Sequence, residues 1–306
     1  YPLSTRFLAV ERQWLAAPAR DAGEFDPATL HSYPALSFLL YVPLVWAGVG
    51  DVLILNVLVC AALLAWLAWL APVGRRGWAA LTLATAAIIP RHSLLLDSEV
   101  VCVALLLAAW HWRERRWVGA ILLGLACAFK QYCWFFAPFL LLEALLTHGW
   151  REAARRGGIA AGAFLLPNLP FLLASPRAWL ASLALPMRDP MFPSGIGLIA
   201  LAQGHLLPYG PPLLYAALEG LALVGMLWLF ARYHARLGEA ALLLALLPLW
   251  FAFRSPPNYF AFAPWLAVYA ICVMRYGRRT TEDTKDTKGI VVTRRAALAA
   301  GPRKRP

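Results

Sequence analysis

The sequence predicts an all-α protein: a polytopic bundle of about nine transmembrane helices, with one further helix lying in the membrane interface. Three observations lead to this prediction. Of the 306 residues, 61% are hydrophobic and only 14% are charged, whereas soluble domains carry about 25% charged residues. The mean hydropathy is +0.62. The apolar residues also fall in separate runs, and clusters of arginine and lysine occupy alternate gaps between those runs.

The apolar runs predict where the spans lie. Several runs have about 15 residues, fewer than the ~20 that cross a full hydrocarbon core. Such short spans are tolerated where the flanking backbone is buried in protein or lines a cavity. The runs cover residues 52–72, 78–93, 97–112, 117–130, 132–148, 157–175, 211–231, 239–253 and 260–275.

The basic clusters predict which ends of the spans face the cytoplasm. Most of the 28 lysines and arginines fall in alternate gaps and in the C-terminal tail, and the positive-inside rule makes that side cytoplasmic. The other side receives the N-terminal segment, the turns Pro90–Asp97 and Arg254–Tyr259, the turn at Lys130 and the long loop 176–210. We therefore expect a multi-pass plasma (inner) membrane protein with an extracytoplasmic active face and a cytoplasmic tail.

Three regions follow from this topology. Residues 1–51 form an extracytoplasmic loop, within which 35–49 is an interfacial helix because this run contains Pro43 and ends in glycines. The alternative is that 35–49 is a genuine span that puts 1–34 inside, which the charge pattern opposes. Residues 52–276 form the transmembrane bundle. Residues 277–306 form a polar, disordered cytoplasmic tail. Because the chain starts at Tyr1 without an initiator methionine, we expect an N-terminally trimmed chain.

Several other classes of chemistry have no support in the sequence. There is no P-loop, GxSxG, HExxH or CxxC motif. The five cysteines lie mostly inside apolar runs, which indicates small buried residues and no disulfide framework or metal site. A net charge of +12 could indicate nucleic-acid binding, but the cations lie between apolar runs, which argues against it. The sequence implies no cofactor and does not fix whether a divalent metal is needed.

Unusual polar residues collect on the predicted extracytoplasmic side. Lys130 and Arg254 each interrupt an apolar stretch at a turn, and a charge within a span is a functional-site candidate. One buried cation could simply pair with one carboxylate. Two cations together suggest a site for an anionic headgroup, which arginine can bind bidentately, and Arg91 could join them. Asp97 and Glu99 are both candidates for a carboxylate that faces the cavity, and Asp97 is the better one. For Glu99, an interfacial position facing water is an equally good interpretation.

Two further acids, Glu143 and Glu219, lie within apolar runs. We predict that both lie toward the cytoplasmic halves of their spans. There they would pair with basic neighbours or face a helix interface, and a role in catalysis is the less favoured interpretation.

Several stretches, in this order, resemble glycosyltransferase family 87, a family of multi-spanning enzymes in the GT-C superfamily. The matching stretches are Tyr1–Arg6, Phe25–Pro27, Ser32–Leu40, Asp97, Arg115–Gln131, Pro138–Leu142 and Arg254–Phe260. The longest is RRWVGAILLGLACAFKQ, which resembles the family's "RRRWLLAGLLLGLAAATKQ" segment. The order and common sidedness of these stretches support the resemblance more than any single one does.

The resemblance implies an inverting hexosyltransferase that uses a polyprenyl-phosphate sugar, with mannose favoured, and a lipid or glycan acceptor. The family's catalytic carboxylate follows the first span, so we expect the general base upstream of Tyr1, with Asp26 as the best substitute within this chain. Asp97 would orient the acceptor or help a metal.

Lys130, Arg254 and Arg91 would bind the donor phosphate. The substrate groove would be lined by Arg6, Tyr33, Gln131, Asn258 and Tyr259.

Two other functions stay open at this stage. One is a transporter or lipid flippase, which should show paired discontinuous helices and internal repeats. We find no convincing repeat, and the polar residues gather at one face and not at the midplane. The other is a non-catalytic membrane protein, such as a degenerate enzyme.

Overall fold

A computed structural model of the chain describes residues 33–51, 53–88, 99–188 and 194–272, and these residues form a helical bundle. The helices are α1 Leu36–Leu39, α2 Val42–Trp46, α3 Ile54–Leu70, α4 Arg76–Ile88, α5 Glu99–His111, α6 Arg116–Phe129, α7 Ala137–His148, α8 Trp150–Ala174, α9 Pro176–Arg188, α10 Leu198–Gln203, α11 Pro212–Leu237, α12 Ala241–Leu244 and α13, residues 263–272. Short 3-10 turns are Val73–Arg75, Gln131–Phe135, Gly238–Ala240, Pro248–Phe251 and Pro257–Tyr259. The all-α prediction is confirmed for the residues described.

Two helical segments are long and apolar enough to cross a membrane by themselves, Trp150–Ala174 and Pro212–Leu244. Shorter apolar helices include α3, α5 and α6. This finding supports membrane insertion, while the count of nine spans stays a prediction.

Two of the helices, α6 and α8, pack closely against each other. At Gly124 of α6, an added Cβ would lie 2.2 Å from the carbonyl oxygen of Ala160 and 2.6 Å from Cβ of Ala163. The two backbones can approach this closely only because the residues between them are small. The same helix ends at Phe129, since Lys130 has extended backbone angles (φ −152°, ψ 142°) that cannot continue a helix. The predicted turn at Lys130 is confirmed.

A buried amide connects the N-terminal part of the described chain to the bundle. Asn168 of α8 is fully buried, and its Oδ1 accepts hydrogen bonds from the backbone N–H of Ala35 (2.9 Å) and from Trp179 Nε1 (3.2 Å). Its Nδ2 donates to the carbonyl of Phe164 at 2.7 Å. A buried amide whose oxygen and nitrogen are both hydrogen-bonded fixes its neighbours well. Asn168 therefore fixes the chain just after Tyr33.

A second polar cluster lies near the C-terminal ends of α5 and α11. Arg113 bonds both carboxylate oxygens of Glu239 (2.6 and 3.2 Å) and lies 3.5 Å from Glu143, which also contacts His234. Trp110 donates its indole N–H to Glu239. Of the two alternatives left open for Glu143, the structure shows the pairing with basic neighbours.

Two predicted segments differ from the structure. The run 239–253 is not one continuous helix: α12 ends at Leu244, and a 3-10 turn begins at Pro248, which has no N–H to continue an α-helix. Residues 176–210 were predicted as a long loop, and the structure shows that they contain α9 and α10.

Residues 1–32, 52, 89–98, 189–193 and 273–306 lie outside the described residues. The site predictions Arg6, Asp26, Arg91 and Asp97 fall there, as does the predicted cytoplasmic tail.

Candidate active site

One cavity of about 570 Å³ collects most of the predicted groove residues. Tyr33, Gln131, Arg254, Asn258 and Tyr259, which come from three distant parts of the sequence, all line it. Cavities of this size, with aromatic walls and a few polar groups, are typical of small-molecule sites. The remaining lining residues are Tyr132, Trp134, Phe135, Pro212, Ala216, Glu219, Gly220, Leu249, Ala252, Phe253 and Pro256.

Arg254 is positioned by a short parallel pairing of two strands, β1 Ser194–Gly195 and β2 Arg254–Ser255. The backbone N–H of Ile196 donates to the carbonyl of Ser255 at 2.9 Å and extends this pairing. Gly195 has φ +146°, and a Cβ there would lie 2.2 Å from that same carbonyl oxygen. A Cβ at Gly197 would lie 2.0 Å from the carbonyl oxygen of Trp250. Because only glycine permits this approach, the segment that follows β1 can pack directly on the strand that carries Arg254.

Beside the cavity, Lys130 and Glu99 form a buried ion pair. The Glu99 residue is fully buried, Lys130 is 5% exposed, and the Lys130 ammonium donates to Glu99 Oε1. Asn258 Nδ2 donates to the same oxygen at 2.7 Å, and the Lys130 ammonium also lies 4.8 Å from the ring centre of Tyr33. The pair therefore joins α5, the turn after α6 and two cavity-lining side chains.

Aromatic contacts complete this wall of the cavity. The rings of Tyr132 and Tyr259 lie 5.3 Å apart, and Tyr132 is buried. Burial raises the pKa of Tyr259 to about 12. Like any tyrosine hydroxyl at neutral pH, its hydroxyl is protonated and can donate a hydrogen bond to a ligand.

The structure bears on two sequence interpretations. Glu99 does not face water, because it lies at the buried start of α5 against Lys130. Lys130 was predicted to bind the donor phosphate, but it is already paired with Glu99 and is not among the residues that line the cavity. The structure thus favours the interpretation in which one buried cation pairs with one carboxylate. The carboxylate that pairs with Lys130 is Glu99. Asp97, the acid that the sequence favoured as the cavity-facing carboxylate, lies outside the described residues.

The sequence placed Glu219 and the Arg254 turn toward opposite ends of the bundle, whereas the structure brings both to one cavity. Glu219 was expected toward the cytoplasmic half of its span, but it lines the same cavity as Arg254 and Tyr33. A signal was available: α11 begins at Pro212, so Glu219 lies only about two helical turns from the end of α11 that carries the cavity.

Within the described part of the chain, the structure shows no group of three or more His, Cys, Asp or Glu side chains arranged to hold a metal ion. Of the formally charged residues that line the cavity, Arg254 can bind an anion and Glu219 can accept hydrogen bonds from hydroxyl groups.

Two helical segments long enough to cross a membrane, together with a cavity of polar and aromatic lining, are typical of a membrane protein with a small-molecule site. The chain belongs to glycosyltransferase family 87, whose family model matches residues 31–256. It is therefore a membrane glycosyltransferase, and the family predicted from the sequence is confirmed. The matched region includes Tyr33, Glu99, Lys130, Glu219 and Arg254. Searches of curated proteins and of solved structures return no match.

Proposed function

We propose that this protein transfers a hexose, with mannose favoured, from a polyprenyl-phosphate donor to a hydroxyl group of a lipid or glycan acceptor. The reaction takes place at the extracytoplasmic face of the plasma membrane. The observation that carries the proposal is the position of Arg254 in a cavity whose other walls are largely aromatic and apolar. A polyprenyl-phosphate sugar has an apolar tail, one anionic phosphate and a neutral sugar, and the cavity offers a matching surface for each.

In the reaction, the acceptor oxygen forms a bond to the anomeric carbon of the sugar while the bond from that carbon to the phosphate oxygen breaks. The polyprenyl phosphate leaves with the bonding electrons. The guanidinium of Arg254 stabilises the negative charge that develops on the phosphate, because it presents several N–H donors in a fixed plane. Attack from the opposite face of the sugar inverts the anomeric configuration. In this proposal Arg91 supplies a second cation.

The proton of the acceptor hydroxyl passes to an extracytoplasmic carboxylate acting as general base. Asp26 is the candidate within this chain, and Asp97 orients the acceptor. The helical region 35–49 and the segment 176–210 flank the groove that joins the bilayer to water, with Arg6 on its wall.

We reassign Lys130 to a positioning role. It is neutralised by Glu99, and through this carboxylate it fixes Asn258, while its ammonium holds the ring of Tyr33. Its loss would therefore act on the shape of the cavity, and the phosphate would still meet Arg254.

A transfer assay in membranes tests the proposal. Radiolabelled polyprenyl-phosphate mannose, and a panel of other sugar lipids, are supplied with acceptor extracts to wild type and to Arg254→Ala. We expect label to move to a lipid or glycan in wild type and the rate to fall about 100-fold in the variant, the usual cost of one transition-state donor. Arg151→Ala removes an exposed cation at the start of α8 and should transfer at the wild-type rate.

Two results would contradict the proposal. The first is that wild type consumes no donor from the whole panel, and the second is that it moves the donor across the bilayer without cleaving it. The second result would make transport the better account.

A further inference from the structure

Glu219 differs from every other acid that the structure describes. The other six aspartates and glutamates in residues 33–51, 53–88, 99–188 and 194–272 each have a hydrogen-bond or ion-pair partner: Asp51 with the backbone of Leu53, Glu99 with Lys130, Glu114 with His148, Glu143 with Arg113, Glu152 with Arg156 and Glu239 with Arg113. Glu219 has none within these ranges. It is half-buried and faces the cavity.

Burying an acid without a partner in an apolar helix costs free energy, and such a residue is a candidate for binding a ligand. Glu219 lies in the middle of the apolar sequence Tyr215–Val224 of α11, in one of the two helical segments long enough to cross a membrane. Its two carboxylate oxygens only accept hydrogen bonds when ionised. The ligand part that suits this position is therefore a group with donors and no negative charge.

Arg254 and Glu219 carry charges of opposite sign, and this difference favours one orientation of a ligand bound in the cavity. Arg254 attracts a phosphate, whereas Glu219 repels it, since the phosphate also carries negative charge and acceptor oxygens. Sugar hydroxyl groups have the reverse preference, because two neighbouring hydroxyls can each donate to one oxygen of a carboxylate. The aromatic side chains of Trp134 and Phe135 line the cavity as well.

We propose that Glu219 binds hydroxyl groups of the sugar of the donor, and that Glu219 and Arg254 together fix the orientation of the donor in the cavity. Glu219 is thus a substrate-binding residue that helps to determine which sugar is accepted. This inference rests on the proposed function, because the ligand is the same polyprenyl-phosphate sugar.

The test measures the binding of two lipids to the purified full chain in nanodiscs. One lipid is polyprenyl-phosphate mannose and the other is polyprenyl phosphate without a sugar. The isosteric variant Glu219→Gln should bind the sugar-bearing lipid about tenfold more weakly, as expected for the loss of hydrogen bonds to a charged group. It should bind the bare lipid as well as wild type does or more tightly, because a repulsive charge has gone.

Two matched variants complete the experiment. Arg254→Ala should weaken the binding of both lipids. Glu114→Gln changes an acid that is 64% exposed and lies beyond α5, and it should change neither affinity. A series of deoxy-mannose lipids makes the same test without any variant at Glu219. Wild type should lose affinity when one particular hydroxyl is removed, and Glu219→Gln should be insensitive to that removal.

The outcomes separate this inference from the proposed function. Equal weakening of both lipids in Glu219→Gln, or an unchanged affinity for the sugar-bearing lipid, would overturn the role of Glu219 alone. Equal sensitivity of wild type and Glu219→Gln to every deoxy lipid would do the same. If wild type binds neither lipid, the proposed function itself fails, and the inference fails with it.

Discussion

At the scale of single residues, the pair of Lys130 and Glu99 explains why a charge can persist inside an apolar sequence. Each partner is nearly inaccessible to solvent, and Asn258 completes the bonds to Glu99 Oε1. Removing charges from water is expensive, so such a pair adds little net stability compared with apolar residues of the same size. Breaking it is a different matter, because the remaining charge is left buried and unpaired.

This asymmetry gives a prediction for the pair. Lys130→Ala should destabilise the folded protein by about 3–5 kcal/mol, since Glu99 would keep its burial and lose its counter-ion. The double variant Lys130→Met with Glu99→Met should recover most of that loss. Thermal unfolding in detergent measures both, with Arg151→Ala as the control at an exposed cation. If the single and double variants unfold at the same temperature, the pair is not the structural contact described here.

The sequence predicted the turns at Lys130 and Arg254 but not the partner of Lys130 or the position of Glu219. Turns are local, so the interruptions at Lys130 and Arg254 were visible as charges between apolar runs. The partner of Lys130 was not visible, because the distance from Glu99 to Lys130 depends on how α5 and α6 pack. Likewise, the position of Glu219 was not visible, because its depth depends on where α11 begins and on which elements face it.

At the scale of elements, the packing of α6 on α8 depends on small residues. Gly124 faces the carbonyl of Ala160 at a distance that leaves no room for a methyl group. In a membrane, where helices gain little from the hydrophobic effect between them, such close approach is a main source of association. Since α6 leads directly into Lys130 and Gln131, this packing also determines where one wall of the cavity lies.

Gly124→Ala should therefore lower stability by about 1–3 kcal/mol, the usual cost of overpacking. Gly162→Ala, in α8, is the matched control, because a Cβ there would meet nothing within 4 Å. It should be neutral or stabilise by up to about 1 kcal/mol through helix propensity. Thermal unfolding of the two variants side by side makes the comparison. Equal effects at both glycines would show that α6 and α8 are not in close contact.

The sequence predicted helices correctly where the length of an apolar run and a helix-breaking residue at its end indicate the same boundary, as at α3, α5, α6 and α11. They were not predictable where tertiary contacts replace regular hydrogen bonding. The run 239–253 reads as one span, yet its buried residues Ala241, Leu242, Ala245, Leu246 and Leu249 lie on a broken helical path against the core. The helices α9 and α10 were missed because residues 176–210 were taken as one long loop.

At the scale of the whole molecule, the bundle has two chemically different ends. Glu219 faces the cavity, and His234 of the same helix lies in the cluster with Glu143, about 22 Å away at 1.5 Å per residue. The arginines Arg113, Arg115, Arg116, Arg156, Arg232 and Arg236 lie on the side of that cluster. This separation is the arrangement that the positive-inside rule uses to assign the cytoplasmic face.

A labelling experiment tests the assignment of the two ends. In a chain whose native cysteines are replaced, Glu114→Cys should react with a membrane-impermeant thiol reagent only from the cytoplasmic side. Tyr209→Cys, which is 53% exposed between α10 and α11, should react only from the other side. Reaction of both positions from one side would refute the predicted topology.

The most direct test of the central claim, that the cavity is an extracytoplasmic site for the donor, uses Gln131→Cys in the same cysteine-free chain. Gln131 lines the cavity beside Tyr132. The account predicts that the impermeant reagent modifies this position from the extracytoplasmic side only, and that polyprenyl-phosphate mannose slows the modification several-fold while leaving Tyr209→Cys unaffected. Modification from the cytoplasmic side, or a rate that saturating donor does not change, would contradict it.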